Sequence, residues 1–453
     1  MKHSTSPSSF GTEKLSRLIL RMAPPVMLSQ LIQALYNIVD SYFVGSYSTP
    51  ALTALSVVYP VQWLSTAMAV GLGTGVNTYS SRLYALGEDE RAGKAGGTGM
   101  LLEIIVWALY SLFIIALLPT YVRLSANGEE VISDSLTYGY IVCVGSIGLF
   151  LESNWTKILQ ARGEMAVPMV AQVSGALTNI VFDPLLIYGI GPFPALGVKG
   201  AAIATVMGQC VAALVVCPKG FRKPPRKLSE FRVLSKNNLM LAYPSMLSQA
   251  TMSVYIIVLN LILASFSDAA VTVLGLYYKY QSFFFIPLLA LQTCVVPIIS
   301  YNYAAGNHER CKESVNLTLV VASFFMLIGM FCFIGIPRTI LSVFTRDEEV
   351  LAVGIPAFRL IGSSFISAVF SLTFPVFFQA VGQSFKSTMI ALTRQIFCLI
   401  PFFYILSKIS LTATWAAFPL SETTAGVVGL ICYVRELKKW KKQKEGGKNG
   451  SVL

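Results

Sequence analysis

The stretch Asn179-Ile180-Val181-Phe182-Asp183-Pro184-Leu185-Leu186-Ile187-Tyr188-Gly189 decides how this chain is read. It lies in an apolar run long enough to cross a bilayer, yet it carries a carboxylate and a proline. A charged side chain at membrane depth costs at least ~2.5–3.5 kcal/mol on insertion scales, so it is rarely left facing lipid. Asn179 and Asp183 are four apart and share a helix face. Pro184 has no N–H, so the carbonyl of Ile180 loses its helical partner and is free to act as a ligand or meet water. A carboxylate, an amide and a freed carbonyl in one turn suit a proton or a small cation. The alternative is a kinked helix whose Asp is capped by its neighbours.

The sequence on either side is of the same kind. Of 453 residues 55% are hydrophobic and 12% charged, roughly half the ~25% charged residues usual in soluble proteins. Apolar windows of roughly 20 residues recur along nearly the whole length. This predicts an all-α polytopic membrane protein with about twelve spans. The net charge of +12 comes from Lys and Arg gathered before the first span, between the halves and after the last span. Segments 46–51, 191–196 and 266–269 carry none. Basic loops retained on the cytoplasmic side explain that asymmetry without nucleic acid, and they put both termini and the central linker in the cytoplasm. The eight cysteines form no CxxC pair and there are two histidines, which argues against a disulfide framework and a His-rich metal centre. Met1 to Phe10 is polar and does not read as a removed signal peptide.

An internal repeat organises the spans. Ala23-Pro24-Pro25-Val26-Met27-Leu28-Ser29-Gln30 returns as Ala242-Tyr243-Pro244-Ser245-Met246-Leu247-Ser248-Gln249, an offset of 249 − 30 = 219. The same offset carries Tyr84-Ala85-Leu86-Gly87 onto Tyr303-Ala304-Ala305-Gly306, and Gln160-Ala161 with Gly163 onto Gln379-Ala380 with Gly382. The predicted organisation is an N-terminal tail (1–15), a six-helix lobe (16–217), a basic cytoplasmic linker (218–236), a second six-helix lobe (237–434) and a basic tail (435–453). Halves of six spans each share one topology and are related by a pseudo-two-fold axis along the membrane normal, as in transporters that rock two lobes about a cavity.

Polar residues within the spans mark the predicted site. Gln30, Gln33, Asn37 and Asp40 follow spacings of three, four and three and form one stripe on a helix. Tyr36 lies four before Asp40, within reach of its carboxylate. Lipid cannot satisfy such a stripe. Asp40 precedes Gly45 by five residues and Asp183 precedes Gly189 by six, so both lie roughly 8–9 Å below an outer end at 1.5 Å per residue. Adding 219 turns Asp40 into Leu259 and Asp183 into Phe402, so the acidic cluster belongs to the first half alone. Cation coupling is therefore assigned to Asp40, Asp183, Asn179, Asn37, Tyr36 and Thr205, with Na⁺ held by Asp40, Asp183 and Asn179 if sodium is the ion. Gln30, Gln33, Glu152, Asn154 and Gln281 are assigned to a substrate cavity. Lys279, Arg394 and Glu422 read as structural, and Glu103, near the end of its predicted span, as interfacial. Gly71-Leu72-Gly73-Thr74-Gly75 lies inside a span and reads as close helix packing rather than a nucleotide cradle.

Several pieces together resemble the multidrug and toxic compound extrusion (MATE) family. They are Tyr36-Asn37-Ile38-Val39-Asp40 with Phe43-Val44-Gly45, the Asn-x-x-x-Asp-Pro-Leu-Leu-Ile of the opening stretch, and Leu196-Gly197-Val198 with Gly200-Ala201-Ala202-Ile203-Ala204-Thr205. Pro297-Ile298-Ile299-Ser300-Tyr301-Asn302-Tyr303 completes the set. The resemblance is to the DinF/MepA-like branch, whose coupling carboxylates lie in the N-terminal lobe. Spans 237–265 and 353–380 carry no acid, unlike the NorM-like branch. It implies a V-shaped pair of six-helix lobes and rocker-switch antiport of organic cations against H⁺ or Na⁺. It also implies a functional monomer in a prokaryotic cytoplasmic membrane, with no cofactor and no enzymatic activity. A flippase for a lipid-linked precursor or a dedicated metabolite exporter is the alternative.

Overall fold

The computed structural model describes residues 7–126 and 128–449, with backbone alone at 49, 253 and 444–449. Residues 1–6 and 450–453 of the two predicted tails lie outside the described residues. The chain forms two compact units, one through Ser253 and the other from Val254 onward. Unit 1 begins with α1 (Ser9–Thr12), α2 (Leu15–Tyr47), α3 (Thr49–Ala85) and α4 (Asp89–Ser125). α5 (Glu129–Gly139) runs through a π-helical turn, Tyr140–Val144, toward α6 (Ile147–Gln160), followed by α7 (Ala166–Tyr188) and α8 (Val198–Gly220). α9 (Leu228–Ala264) starts in unit 1 and ends in unit 2. Residues 228–236 of the predicted linker are therefore its first turns rather than loop.

Unit 2 continues with α10 (Asp268–Phe284), α11 (Ile286–Ala304), α12 (His308–Gly335), α13 (Pro337–Leu341), α14 (Glu348–Gly362) and α15 (Phe365–Ala380). α16 (Ser384–Leu392), a second π-helical segment over Thr393–Leu399, and α17 (Ile400–Ser407) form one apolar stretch. α18 (Leu411–Thr414) and α19 (Ala417–Asn449) close the chain. Eleven helical segments among the described residues are long and apolar enough to span a bilayer, or twelve when α14 and α15, bent by 53°, count as one. Large apolar side chains such as Leu109, Leu112, Val320 and Phe331 are more than half exposed, as surfaces that meet lipid tails must be.

The 219-residue repeat is physical as well as textual. Ser48 caps α3 by accepting from the Ala51 amide at 3.1 Å, and Ser267 caps α10 by accepting from the Ala270 amide at 3.2 Å. A cap of this kind satisfies one of the amides left over at a helix start. Gly87 and Gly306 adopt φ of 73° and 74°. Each ends a helix, with Glu88 N–H bonding the Leu83 carbonyl and Asn307 N–H that of Asn302. That left-handed turn favours glycine because a Cβ would clash.

Unit 1 buries an apolar core of Val58, Tyr110, Ile114, Tyr138, Val142 and Ile187. Unit 2 is more aromatic: Phe333 stacks on Phe358 with ring centres 4.7 Å apart, and Phe374, Phe377 and Phe378 are fully buried. The last turns of α19 are fastened to unit 2. Trp440 stacks on His308 with ring centres 4.4 Å apart, and Glu436 meets Lys386 Nζ at 2.9 Å and Gln383 Nε2 at 2.6 Å.

Candidate functional site

Small residues bring the polar ones together. α7 and α8 pack side by side, and a Cβ on Gly175 would stand 2.7 Å from the Gly208 carbonyl, with the converse also at 2.7 Å. This backbone approach is what two facing glycines allow. Four residues along α7, it places Asn179 opposite Thr205 of α8. Asn179 Nδ2 donates to Thr205 Oγ1 at 3.4 Å and to Asp183 Oδ1 at 3.2 Å. α2 packs on the other side of α7, and the Tyr188 hydroxyl donates to the Phe43 carbonyl at 2.9 Å, pinning the two helices.

Across that seam Asp40 of α2 interacts directly with Asp183. Tyr36, one turn before Asp40, lies beside both carboxylates and bonds Gln33. Asp183, Asn179 and Thr205 are buried. Neither carboxylate has a Lys or Arg partner among the described residues. Asp40 Oδ1, Asp183 Oδ2 and Asn179 Oδ1 are buried without a hydrogen-bond donor among the described residues. Buried oxygens in that condition are costly unless something shares them. A proton shared by the acids, or a small cation on the three oxygens, would supply what is missing.

Tyr138 of α5 belongs to this cluster, and nothing in the sequence singles it out. It is buried, bonds Thr205 and lies beside Asp40, Asp183 and Tyr36. Its neighbours Ser135 and Gly139 are small residues that let α5 come close to other helices, but a single tyrosine in a mildly polar segment gives no periodic signal.

Of the other predicted residues, Gln33 reaches the cluster through Tyr36, and the rest make no hydrogen bond to the two acids among the described residues. Asn37 and Gln33 are exposed, and Gln30 is half-buried. Glu152 is buried and accepts from Thr156 Oγ1 at 2.6 Å. Asn154 is fully buried and its amide donates to the Gly96 carbonyl at 3.3 Å, which serves the contact of α6 with α4. Gln281 is half-buried in unit 2. Arg394 and Glu422 do pair, Nη1 to Oε1 at 3.0 Å. Glu103 is not the interfacial acid its sequence position suggests. A span starting near 96 puts it at an interface, whereas α4 begins at Asp89 and Glu103 is fully buried, both carboxylate oxygens lacking a donor among the described residues. The Gly71 to Gly75 run packs as predicted. A Cβ on Gly71 would stand 2.4 Å from Met246, and one on Gly75 2.4 Å from the Asn238 carbonyl.

A family model described as MatE matches residues 25–185 and 244–405. Among curated relatives, the FAD transporter of Shewanella oneidensis is 28% identical over 74% of this chain and 76% of its own. The multidrug export protein MepA of Staphylococcus aureus is 23% identical over 93% of this chain and 94% of its own. Two solved structures share the fold at 22% identity. One, of a MOP superfamily transporter from Pyrococcus furiosus, superposes with a TM-score of 0.89 over 97% of this chain and 100% of that one. The other, an outward-facing multidrug resistance MATE transporter, does so with a TM-score of 0.90 over the same shares.

Proposed function

Because this chain belongs to the MatE family, as a multi-pass transporter of the MepA-like type, we propose that it is a secondary active multidrug exporter. It exchanges organic cations for H⁺ or Na⁺ at Asp40 and Asp183. Three buried oxygens without donors, on Asp40, Asp183 and Asn179, carry this reading. Two acids with no basic partner favour the bound proton or cation over an empty site, since desolvation disfavours bare carboxylates. Filling the site removes the charge that attracts a cationic substrate, so the two occupants exclude each other. Asn179 orients Asp183, and Thr205, Tyr36 and Tyr138 line the site around the acids. The exporter works as a monomer in a prokaryotic plasma membrane, both termini cytoplasmic, by alternating access and without a cofactor or nucleic-acid partner.

Asp40→Asn and Asp183→Asn keep size and hydrogen-bonding capacity but abolish titration. In inverted vesicles each should lose gradient-driven uptake of ethidium, normalised to folded protein, while counterflow persists. Near wild-type concentrative uptake in both variants would sink the proposal. A second reading, a dedicated exporter of an acidic metabolite, is favoured by the relative named FAD transporter and by Arg394 within the membrane.

A further inference from the structure

The repeat places a second polar cluster in unit 2. In the register fixed by the Ser48 and Ser267 caps, Tyr36 corresponds to Tyr255 and Tyr59 to Tyr278. In unit 1 Tyr36 lies near Tyr59 and the two acids. In unit 2 the Tyr255 hydroxyl approaches that of Tyr278 and lies beside Arg394 and Glu422. The tyrosine frame is thus kept while the charges inside it change from two acids to an acid and a base. We propose that Arg394 and Glu422, framed by Tyr255, Tyr277 and Tyr278, form a second binding subsite that takes the acidic group of an aromatic substrate.

The geometry suits an exchange of carboxylates on one guanidinium. Glu422 Oε1 is 3.0 Å from Arg394 Nη1, and its other oxygen accepts from the Ser371 hydroxyl. Ser371 therefore holds Glu422 when an incoming carboxylate displaces it from Arg394. Arginine offers a planar fork that matches carboxylate and phosphate, where a lysine would offer a point charge. Arg394 stands in the π-helical segment Thr393–Leu399, where the Ser421 hydroxyl donates to its carbonyl at 2.5 Å. Widened turns of this kind recur at functional sites.

Buried aromatic rings adjoin the pair. Tyr277 and Tyr278 have ring centres 5.1 Å apart, and Tyr277 meets Phe418 edge-on at 5.2 Å. The Tyr278 hydroxyl is buried with no regular hydrogen bond beyond its approach to Tyr255, so it has capacity left for a ligand. A buried ion pair retained only for stability is often matched or surpassed by apolar side chains, and such a pair has no use for three surrounding tyrosines. Glu422 is already neutralised by Arg394, so the cluster differs from unit 1 in offering no vacancy for a cation.

The subsite depends on the export reading only in taking its ligand to be a transported aromatic compound. The test is fluorescence anisotropy on the full-length protein in nanodiscs, with a carboxylated rhodamine and its methyl ester as probes. Wild type should bind the free acid about tenfold more tightly than the ester, a difference of about 1.4 kcal/mol. Arg394→Gln should abolish that preference. Glu422→Gln should enlarge it, because the competing carboxylate is gone, whereas a purely structural pair would lose binding of both probes together. Equal affinity of wild type for acid and ester overturns the proposal, as does a Glu422→Gln ratio at or below wild type. The wild-type ratio needs no variant, so it decides the matter even where a substitution fails to fold. Loss of coupling at Asp40 and Asp183 is read in vesicles, so failure of the export reading and failure of this subsite are separable.

Discussion

Tyr138 shows at the scale of one residue what tertiary packing adds to a sequence. Its hydroxyl bonds Thr205 beside the two acids while its ring lies in the core with Val58 and Val142. Tyr138→Phe should therefore fold normally and lower gradient-driven uptake about tenfold, the weight of one well-placed hydrogen bond at about 1.4 kcal/mol. Vesicle uptake normalised to folded protein measures it, and an unchanged rate would remove Tyr138 from the site. Glu103 offers the opposite experiment. A buried polar group without a partner costs about 1–3 kcal/mol, so Glu103→Met should raise the midpoint of thermal unfolding with transport retained. A lowered midpoint would show that the carboxyl is bonded in the membrane. Asp40 and Asp183 are legible in the sequence because a carboxylate stands out against apolar spans. Tyr138 is not, since tyrosine is ordinary there and its place beside the acids arises from four helices meeting.

At the scale of helices, hydropathy locates the spans but averages over their interruptions. The span expected over 270–302 is two helices meeting at Phe285, and the one over 353–380 bends by 53°. Neither break changes the composition of a window, so neither has a hydropathy signal. The π-helical turns at Tyr140–Val144 and Thr393–Leu399 are silent for the same reason. Small residues, in contrast, predict close packing correctly. With a Cβ on Gly75 only 2.4 Å from the Asn238 carbonyl, Gly75→Val forces α3 away from the start of α9. Overpacking of this kind costs about 1–3 kcal/mol. A lowered unfolding temperature by fluorescence-detected size exclusion would register it, and an unaltered one would mean the helices already have room.

For the whole molecule the 219-residue offset is the most legible feature, because matched caps and left-handed glycines leave matched words in the sequence. The orientation that the Lys and Arg asymmetry suggests is testable: in a cysteine-free background, single cysteines placed within 222–232 should react with impermeant maleimide only from the cytoplasm. Labelling from outside intact cells would reverse the topology. The end of α19 has a practical consequence. Its 33 residues span about 50 Å at 1.5 Å per residue, against a hydrocarbon core of about 30 Å. The surplus is not a loose tether, because Trp440 is stacked on His308 and Glu436 is tied to Lys386. A helical fusion continued in phase from Gln443 would stand on unit 2 as a rigid mast. Such a mast would give a small particle, otherwise hidden in its micelle, a landmark by which electron micrographs can be aligned.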